Sequence, residues 1–528
     1  PSSKTGAPIC ASSIKHDSRM APQTPYAKPV AKAPFQKKEQ IVIIGGGPAG
    51  VHMAAQLCKR GYKNVTILEA GPDVGGKSYT LTDDRGVPHE MGTCYLHFEY
   101  NSLRGLLAEY DPSNKEVPVG KGYGNRRVFG TDLRQGDDGN FTHGIDFGEY
   151  VLSRSEEATV SPGCWALCWD PVQALPIFIA MTKYMDLHRK ILGEYEYGLM
   201  PRPRNFADVD MTAMDFLKKH DLEAMIGFLR YTQQVQGYGI LEHIPALYLL
   251  WWHHYDLIKT TIEQTVRREQ DNITMVTKGY QSLWRSMAKK HQAKDGLKVV
   301  TNAAVASVTR GESGPGKGKC TVVYRDASGE EKTLKPDKVI FAANMRTFKS
   351  SITDLTPQEA EIFNDLTSVT LTTTLYEASK VDHEHTVELW FSRMQPGPDG
   401  QESGRLYAHR NSRLAIDQKS KPPPGGRERR VAYQFYNRPP QSGDAETLQA
   451  QLLKDLAISG EKDVTIMHQA LWDYFPHFSN ENLKKGHLWN VLAMQGQRNC
   501  AFVGSSVCFE SVLDVVAYNN LLLKYLKL

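Results

Sequence analysis

An α/β fold with a parallel sheet at its centre is predicted for this chain of 528 residues by three observations. A run of four apolar β-branched residues, Ile41–Ile44, is typical of a buried parallel strand, and it leads through a glycine-rich turn into a helical segment. A second apolar run, Val65–Leu68, follows that helix. Near the end of the chain the same order of strand and helix returns, at residues 500–503 and 512–526. Strands that alternate with helices are typical of parallel sheets.

The first strand, turn, helix and second strand form a complete βαβ unit. Its turn has the pattern G-x-G-x-x-G: Gly45 allows the tight bend, Gly47 leaves room for a pyrophosphate, and Gly50 lets helix and strand pack closely. The helix N-terminus offers free N–H groups and a positive dipole end to phosphates. Glu69, at the end of the second strand, supplies an acceptor for ribose hydroxyls. This unit predicts a Rossmann-type dinucleotide-binding domain.

An ordinary glycine-rich turn and a site for NAD are the competing interpretations of this unit. The residues that follow distinguish NAD from FAD. Glu69 and Ala70 are followed, a few residues later, by Gly75, Gly76 and Lys77. This string resembles the E-x-x-x-x-x-G-G-[RK] extension of flavin amine oxidases and their relatives, and simple NAD dehydrogenases lack it. The two glycines permit close approach of the backbone, and the cation can face phosphates. We therefore expect FAD.

Composition excludes several classes of protein. With 63 basic and 59 acidic residues the net charge is +4, which is too balanced for nucleic acid as a bulk partner. The eight cysteines contain no CxxC pair and are predicted to be free thiols, which favours a reducing compartment and no metal site. No run of about 18 apolar residues is present, so no transmembrane segment is expected. A soluble cytoplasmic or organellar protein is favoured over a secreted one; the compartment and the oligomeric state stay open.

Several further motifs resemble FAD-dependent polyunsaturated (polyenoic) fatty acid isomerases, within the flavin amine oxidase-like superfamily. The motifs are PHEMG at 88–92, GYG at 237–239 with IPALY at 244–248, YFPHFS at 474–479 and MQGQRN at 494–499. The resemblance implies a Rossmann-type FAD-binding domain built from discontinuous segments, with a mixed α/β substrate domain and a helical cap. The predicted division is a disordered leader or tail at 1–38, FAD-binding segments at 39–144, 276–345 and 486–528, a helical cap at 145–275, and a substrate domain at 346–485.

The resemblance also implies a reaction. A double bond moves in a free polyunsaturated fatty acid, by hydride abstraction and return at flavin N5, and the product is conjugated. No side chain acts as a catalytic residue in this scheme, because the flavin does the chemistry and the protein positions the substrate. The alternative is a net flavin oxidase or desaturase of the same superfamily, acting on amines or carotenoids. A non-catalytic protein that binds FAD as structural filler is a third interpretation.

The cofactor residues implied by the motifs come from all three FAD segments. Val305 matches a strand whose backbone lies over the adenine, and Gly504 matches a turn that meets the flavin. Ser505 stands where the family usually has an acid. No cysteine context for a covalent link is present, so the FAD is expected to be non-covalent. The full set is Gly45, Gly47, Pro48, Ala49, Gly50, Glu69, Ala70, Gly76, Lys77, Met91, Gly92, Thr93, Val305, Gly504 and Ser505.

Two residues are implied to bind the substrate. Arg127 matches the family arginine that binds the carboxylate, for which a guanidinium fork is well suited; a surface arginine is the competing interpretation. Thr261 stands near the place of an aromatic lid residue, so we expect an altered closure over the carboxylate.

The apolar segment 244–258 is predicted as one buried or pocket-lining helix. Its aromatic residues Trp251, Trp252 and Tyr255 belong either to a channel or to the core. His253 and His254 are not expected to bind a metal, because adjacent residues of a helix point in different directions.

Overall fold

The computed structural model describes residues 35–119, 126–128, 145–148, 150–151, 171–266, 273–311, 318–379, 385–395, 402–417, 421 and 423–528. Of the leader predicted at 1–38, residues 1–34 lie outside the described part. Phe35 is buried, and its carbonyl accepts a hydrogen bond from the Tyr62 hydroxyl at 2.8 Å. The described cysteines are free thiols, as predicted, and the structure shows in addition that they are buried.

The strands, in chain order, are β1 (Ile41–Ile44), β2 (Val65–Leu68), β3 (Thr80–Thr82), β4 (Pro88–Glu90), β5 (Glu116–Pro118), β6 (Arg126–Val128), β7 (Ile145–Asp146), β8 (Thr274–Val276), β9 (Lys298–Val300), β10 (Ala304–Thr309), β11 (Thr321–Arg325), β12 (Glu331–Leu334), β13 (Lys338–Phe341), β14 (Thr367–Ser379), β15 (Val387–Leu389), β16 (Ala408–Arg410), β17 (Glu428–Tyr436), β18 (Lys462–His477) and β19 (Cys500–Phe502).

The α-helices, numbered here in chain order, are α1 (Pro48–Lys59), α2 (Asn101–Tyr110), α3 (Pro171–Leu192), α4 (Ala213–Lys219), α5 (Ile226–Leu229), α6 (Ala246–Trp252), α7 (Tyr255–Val266), α8 (Tyr280–Asp295), α9 (Met345–Phe348), α10 (Pro357–Asn364), α11 (Ser412–Ile416), α12 (Asp444–Ile458), α13 (Asn480–Lys485), α14 (His487–Met494) and α15 (Val512–Tyr525). Among the described helices, none is both long and apolar enough to cross a membrane.

A five-stranded parallel sheet forms the centre, in the order β19-β13-β1-β2-β9. Its strands come from three distant parts of the chain, which confirms the predicted α/β fold assembled from discontinuous segments. β1 and β13 are buried at every position, as continuous β-branched and aromatic runs require when helices cover both faces. The carboxyl ends of these strands meet at one edge, where ligands bind in open α/β sheets.

A second sheet of seven strands has the order β18-β14-β17-β16-β15-β6-β7. Most of it lies in the stretch predicted as the substrate domain. β6 and β7 come from earlier in the chain and complete its far edge, where β6 runs parallel to β15 and β7 runs antiparallel to β6. One face of this sheet carries side chains that line a large cavity, described below.

The segment 244–258 does not form the single helix that was predicted. α6 ends at Trp252 and α7 begins at Tyr255. His253 leaves the helical conformation, with φ −88° and ψ 62°, and its ring Nδ1 donates to the Leu249 carbonyl at 3.1 Å. The last strand and helix, predicted at residues 500–503 and 512–526, correspond to β19 and α15. Nine residues, 503–511, separate the end of β19 from α15.

Candidate functional site

The edge of the central sheet opens into a cleft at the turn between β1 and α1. Gly45 has φ +107°, and a Cβ there would lie 3.0 Å from the Ala342 carbonyl oxygen, so this bend requires glycine. At Gly47 an added Cβ meets nothing closer than the Gly76 Cα at 3.8 Å, so it would project into the cleft. The turn therefore leaves bare backbone where a pyrophosphate has to approach, and the cleft fits a dinucleotide.

Glu69 connects the two loops that form the floor of the cleft. Its Oε2 accepts a hydrogen bond from the Gly46 N–H at 2.6 Å, and its Oε1 accepts one from the Gly71 N–H at 2.7 Å. The carboxylate thus orders the turn after β1 and the loop after β2, besides lining the cleft. Sequence reasoning foresaw the lining role and missed the bonds to the backbone.

Most of the predicted cofactor residues lie together at this cleft, and three lie elsewhere. Gly50 packs beneath the turn, Met91 is fully buried with its carbonyl bonded to Thr373 and Trp472, and Gly92 lines the neighbouring cavity. The predicted residues that line the cleft are Gly45, Gly47, Pro48, Ala49, Glu69, Ala70, Gly76, Lys77, Thr93, Val305, Gly504 and Ser505.

A second cavity, of about 1660 Å³ including the space at its open side, adjoins the cleft. Its lining is largely apolar and aromatic. Predicted Thr261 belongs to it, with its hydroxyl donating to the Leu257 carbonyl at 2.8 Å. Trp252 also lines it, whereas Trp251 is buried in the core. The aromatic residues of the lining are Tyr95, Phe98, Tyr100, Phe228, Tyr231, Tyr238, Trp252, Tyr433 and Tyr474.

An ion pair stands where the cleft and the cavity meet. Lys77 and Glu510 line both spaces, and the Lys77 Nζ lies 3.0 Å from both carboxylate oxygens of Glu510. Glu510 also accepts the backbone N–H of Phe475 at 2.9 Å, a residue held in the left-handed region at φ +50°. Burial raises the pKa of the Glu510 carboxyl, and the Lys77 ammonium opposes that shift.

The sequence analysis did not identify Glu510. It noted only that Ser505 stands directly after Gly504, where the family usually has an acid. The sequence did carry a signal for it. Ser511 and Asp514 form an S-x-x-D pattern that marks a helix start, and the Ser511 hydroxyl indeed accepts the Asp514 N–H at 3.0 Å. With the helix start placed there, residues 504–511 become a loop, and its acid lies close to the cleft.

The family model for flavin containing amine oxidoreductases matches residues 48–376, more than half of the chain. The chain belongs to this family. Membership implies a flavin cofactor, which the glycine-lined cleft fits.

Curated relatives and solved structures extend this likeness. The polyenoic fatty acid isomerase of Ptilota filicina is 22% identical over 280 residues, which cover 52% of this chain and 51% of that protein. The chain thus spans about half the length of that relative. A solved CLA-producing fatty acid isomerase from P. acnes superimposes with a TM-score of 0.69 at 20% identity, covering 93% of this chain and 99% of that one. A redesigned putrescine oxidase gives 0.58 at 16% identity, covering 93% and 98%. These structures show the fold.

Two histidines near the site of this flavin-containing oxidoreductase, His97 and His477, are held neutral by burial. Burial lowers the pKa of His97, which lines the cavity, to about 3. It lowers that of His477, whose ring packs on Phe475, to about 4. His253 and His254 bond to the carbonyls of Leu249 and Tyr195, and the described residues contain no cluster able to hold a metal. Chemistry here has little acid–base assistance from histidine.

Removal of the Glu69 carboxylate is expected to weaken flavin binding. Glu69→Ala deprives two backbone N–H groups and the ligand of an acceptor, at a cost of about 1.5–3 kcal/mol per charged hydrogen bond. Flavin content after dialysis measures the loss. Glu331→Ala, on an exposed strand position, is the control and should retain flavin. Full retention by Glu69→Ala would contradict the role given to this carboxylate.

Glu90 is expected to make stability depend on pH. Burial raises the pKa of its carboxyl from 4.5 to about 7, although it accepts hydrogen bonds from the Tyr280 N–H and the Thr80 hydroxyl. Because the folded-state value is the higher one, the stabilisation is complete below about pH 4.5 and is lost as the pH rises through about 7. Between pH 5 and 8 the loss is about 3 kcal/mol. The melting temperature of Glu90→Gln should not fall in this way as the pH rises. A variant whose stability depends on pH as the wild type's does would contradict the role given to Glu90.

Proposed function

We propose that the protein binds FAD non-covalently and isomerises free polyunsaturated fatty acids to conjugated products. A bound flavin supplies a hydride acceptor and donor at its N5. The protein then has to hold an alkyl chain beside the ring, keep water out and return the hydride to the same molecule. Arg127 matches the family's carboxylate-binding arginine and is the carboxylate anchor that the resemblance implies; its side chain lies outside the described residues.

The observation that carries the proposal is the junction between the two spaces. A large cavity with apolar and aromatic walls opens onto the glycine-lined cleft at Lys77, Thr93, Glu510 and Val512. An apolar chain gains free energy in such a space in proportion to the area it buries. Substrate and cofactor would meet at this junction, as hydride transfer requires.

The aromatic walls are arranged to position a flat, unsaturated chain. Tyr238 and Tyr474 lie parallel at 5.9 Å, with 10° between their planes, and Trp252 stacks on Phe509 at 5.4 Å. Aromatic faces also favour a developing positive charge on a pentadienyl system, since their quadrupole attracts cations. Burial disfavours protonation of His97 and His477, so these two histidines are weak bases towards a proton of such a cation. Return of the hydride is then favoured over loss of a proton.

The charge of the lining argues against an amine substrate. An ammonium group needs a carboxylate partner, and the described residues that line the cavity offer only Glu510. Lys77 already pairs with that carboxylate. Arg410, a second cation of the lining, would repel an amine. An oxidase acting on an uncharged substrate such as a carotenoid stays the second candidate.

Ultraviolet absorbance tests the proposal. The purified holoprotein is incubated with linoleate, linolenate, arachidonate or eicosapentaenoate, and conjugated dienes or trienes are expected with no stoichiometric uptake of oxygen. Oxygen consumption that matches product formation would favour the oxidase. Acid precipitation tests the mode of binding, because non-covalent FAD stays in the supernatant.

A further inference from the structure

Arg410, at the end of β16, is a buried cation in the wall of the substrate cavity. Its side chain is 1% exposed, and it lines the cavity. Its Nη2 donates to the Glu90 carbonyl at 2.9 Å, and its guanidinium lies 5.6 Å from the ring centres of Tyr95 and Tyr433. The hydrogen bond to the backbone of β4 and the contacts with two phenol rings therefore fix the position of the guanidinium.

Two nitrogens of this guanidinium have no hydrogen-bond acceptor among the residues that the structure describes. Within the described part of the chain, neither Nε nor Nη1 of Arg410 makes a hydrogen bond, and the hydroxyl of Tyr433, which also lines the cavity, has no partner either. Buried donors are paired in nearly all native structures, and a buried charge without a counter-ion costs several kcal/mol. An unpaired cation beside an unpaired hydroxyl points to a missing anion.

The neighbouring groups do not supply that anion. Burial keeps the thiol of Cys94 neutral by raising its pKa to about 11, and it raises the pKa of the Tyr95 phenol further still. The Glu90 carboxyl is engaged by Tyr280 and Thr80, and burial raises its pKa to about 7. Glu510 binds Lys77. No ion pair joins Arg410 to an acid among the described residues.

We propose that Arg410, with the Tyr433 hydroxyl, binds the carboxylate of the acid substrate inside the cavity. That the ligand is a fatty acid rests on the proposed function. The class of ligand, an anionic head on an apolar chain, follows from the structure, because one unpaired cation lies in an apolar wall. A carboxylate bound there is desolvated, so its ester, which offers no charge, binds much more weakly.

The sheet register separates this arginine from the one predicted from sequence. Val387 of β15 pairs with Arg410 on one side and with Arg126 on the other, and both Val387 and Arg410 line the cavity. Arg127 pairs along the backbone with Glu388, whose carboxylate binds His409 and Arg430. The two candidate anchors thus occupy different register positions and can be tested against each other.

Binding of oleate tests the proposal without any turnover, because oleate has no bis-allylic carbon. Dissociation constants for oleate and methyl oleate are measured from the change in flavin absorbance. The wild type should prefer the acid by a factor on the order of 100. Arg410→Gln should abolish that preference, Arg410→Lys should keep part of it, and Tyr433→Phe should reduce it several-fold. Arg127→Ala should retain it.

Arg393→Gln controls for the loss of a buried arginine. Arg393 likewise donates to a carbonyl, that of Leu406, and packs over the ring of Trp390, but it does not line the cavity. A preference for oleate over methyl oleate that survives in Arg410→Gln, or disappears only in Arg127→Ala, would overturn the proposal.

If Arg410→Gln does not fold, wild-type protein is modified with phenylglyoxal. Oleate, but not methyl oleate, should protect Arg410 from modification, and equal labelling with and without oleate would count against the proposal. Acid-selective binding without dienes from linoleate would instead refute the isomerase function alone.

Discussion

Gly50→Ala is expected to remove bound flavin and to lower the free energy of unfolding by about 3 kcal/mol or more. A Cβ at Gly50 would lie 1.9 Å from the Gly45 carbonyl oxygen and 3.1 Å from its carbonyl carbon. Both atoms belong to the residue directly after β1, whose N–H donates to the Leu68 carbonyl of β2 at 2.9 Å, so the turn cannot move aside cheaply. The new methyl would displace the start of α1 from β1 and distort the cleft above it.

A matched substitution separates this clash from the general effect of a methyl group on a helix. Gly105 lies in α2, and a Cβ there has no atom within 4 Å. Gly105→Ala should therefore stabilise by up to about 1 kcal/mol, from helix propensity alone. Thermal unfolding and flavin absorbance measure both variants. A Gly50→Ala protein that keeps its flavin and its melting temperature would show that α1 has room to shift.

Glu510→Ala is expected to destabilise the protein by about 3–5 kcal/mol and to release flavin. The substitution leaves the Lys77 ammonium without its partner and the Phe475 N–H without an acceptor, at a backbone conformation that is itself unfavourable. Lys77→Met should cost less, because Lys77 is 25% exposed and Glu510 keeps the bond to Phe475. Denaturant unfolding and flavin content are the measurements.

The double variant Lys77→Met/Glu510→Gln completes a thermodynamic cycle. Its loss of stability should be smaller than the sum of the losses in Lys77→Met and Glu510→Gln, since no charge is left unpaired in the double variant. The exposed pair Lys59–Glu109 is the control, and Lys59→Met should change stability by under about 1 kcal/mol. Strict additivity of Lys77→Met and Glu510→Gln would mean that the two groups are not coupled.

The central fold was predictable because its elements carry local signals. Continuous β-branched runs mark β1 and β2, and the spacing of three glycines marks the turn, so this part of the prediction is confirmed. Breaks in helices were harder to predict. The division of 244–258 into α6 and α7 depends on His253 bonding to Leu249 and Thr232, and the latter contact is tertiary.

The residues that line the cavity could not be predicted from sequence patterns alone. Arg410 has no motif around it, and its importance comes from the register of β15, β16 and β17, which brings it beside Val387 and Val431. These strands lie in separate parts of the sequence, so a pattern within any one of them does not show which residues become neighbours. Thr261 was placed through a family resemblance, and it does line the cavity. Contact of Arg127 with a carboxylate stays a prediction, since its side chain is not described.

Anaerobic mixing of the holoprotein with linoleate deuterated at the bis-allylic carbon tests whether the hydride returns to the substrate. Conjugated-diene absorbance is expected over many turnovers, with the flavin still oxidised at the end and the abstracted deuterium retained at a new carbon of the product. That result would show a hydride returned within one enclosed site. A bleached flavin with at most one product per protein would indicate net oxidation and refute the proposed isomerisation.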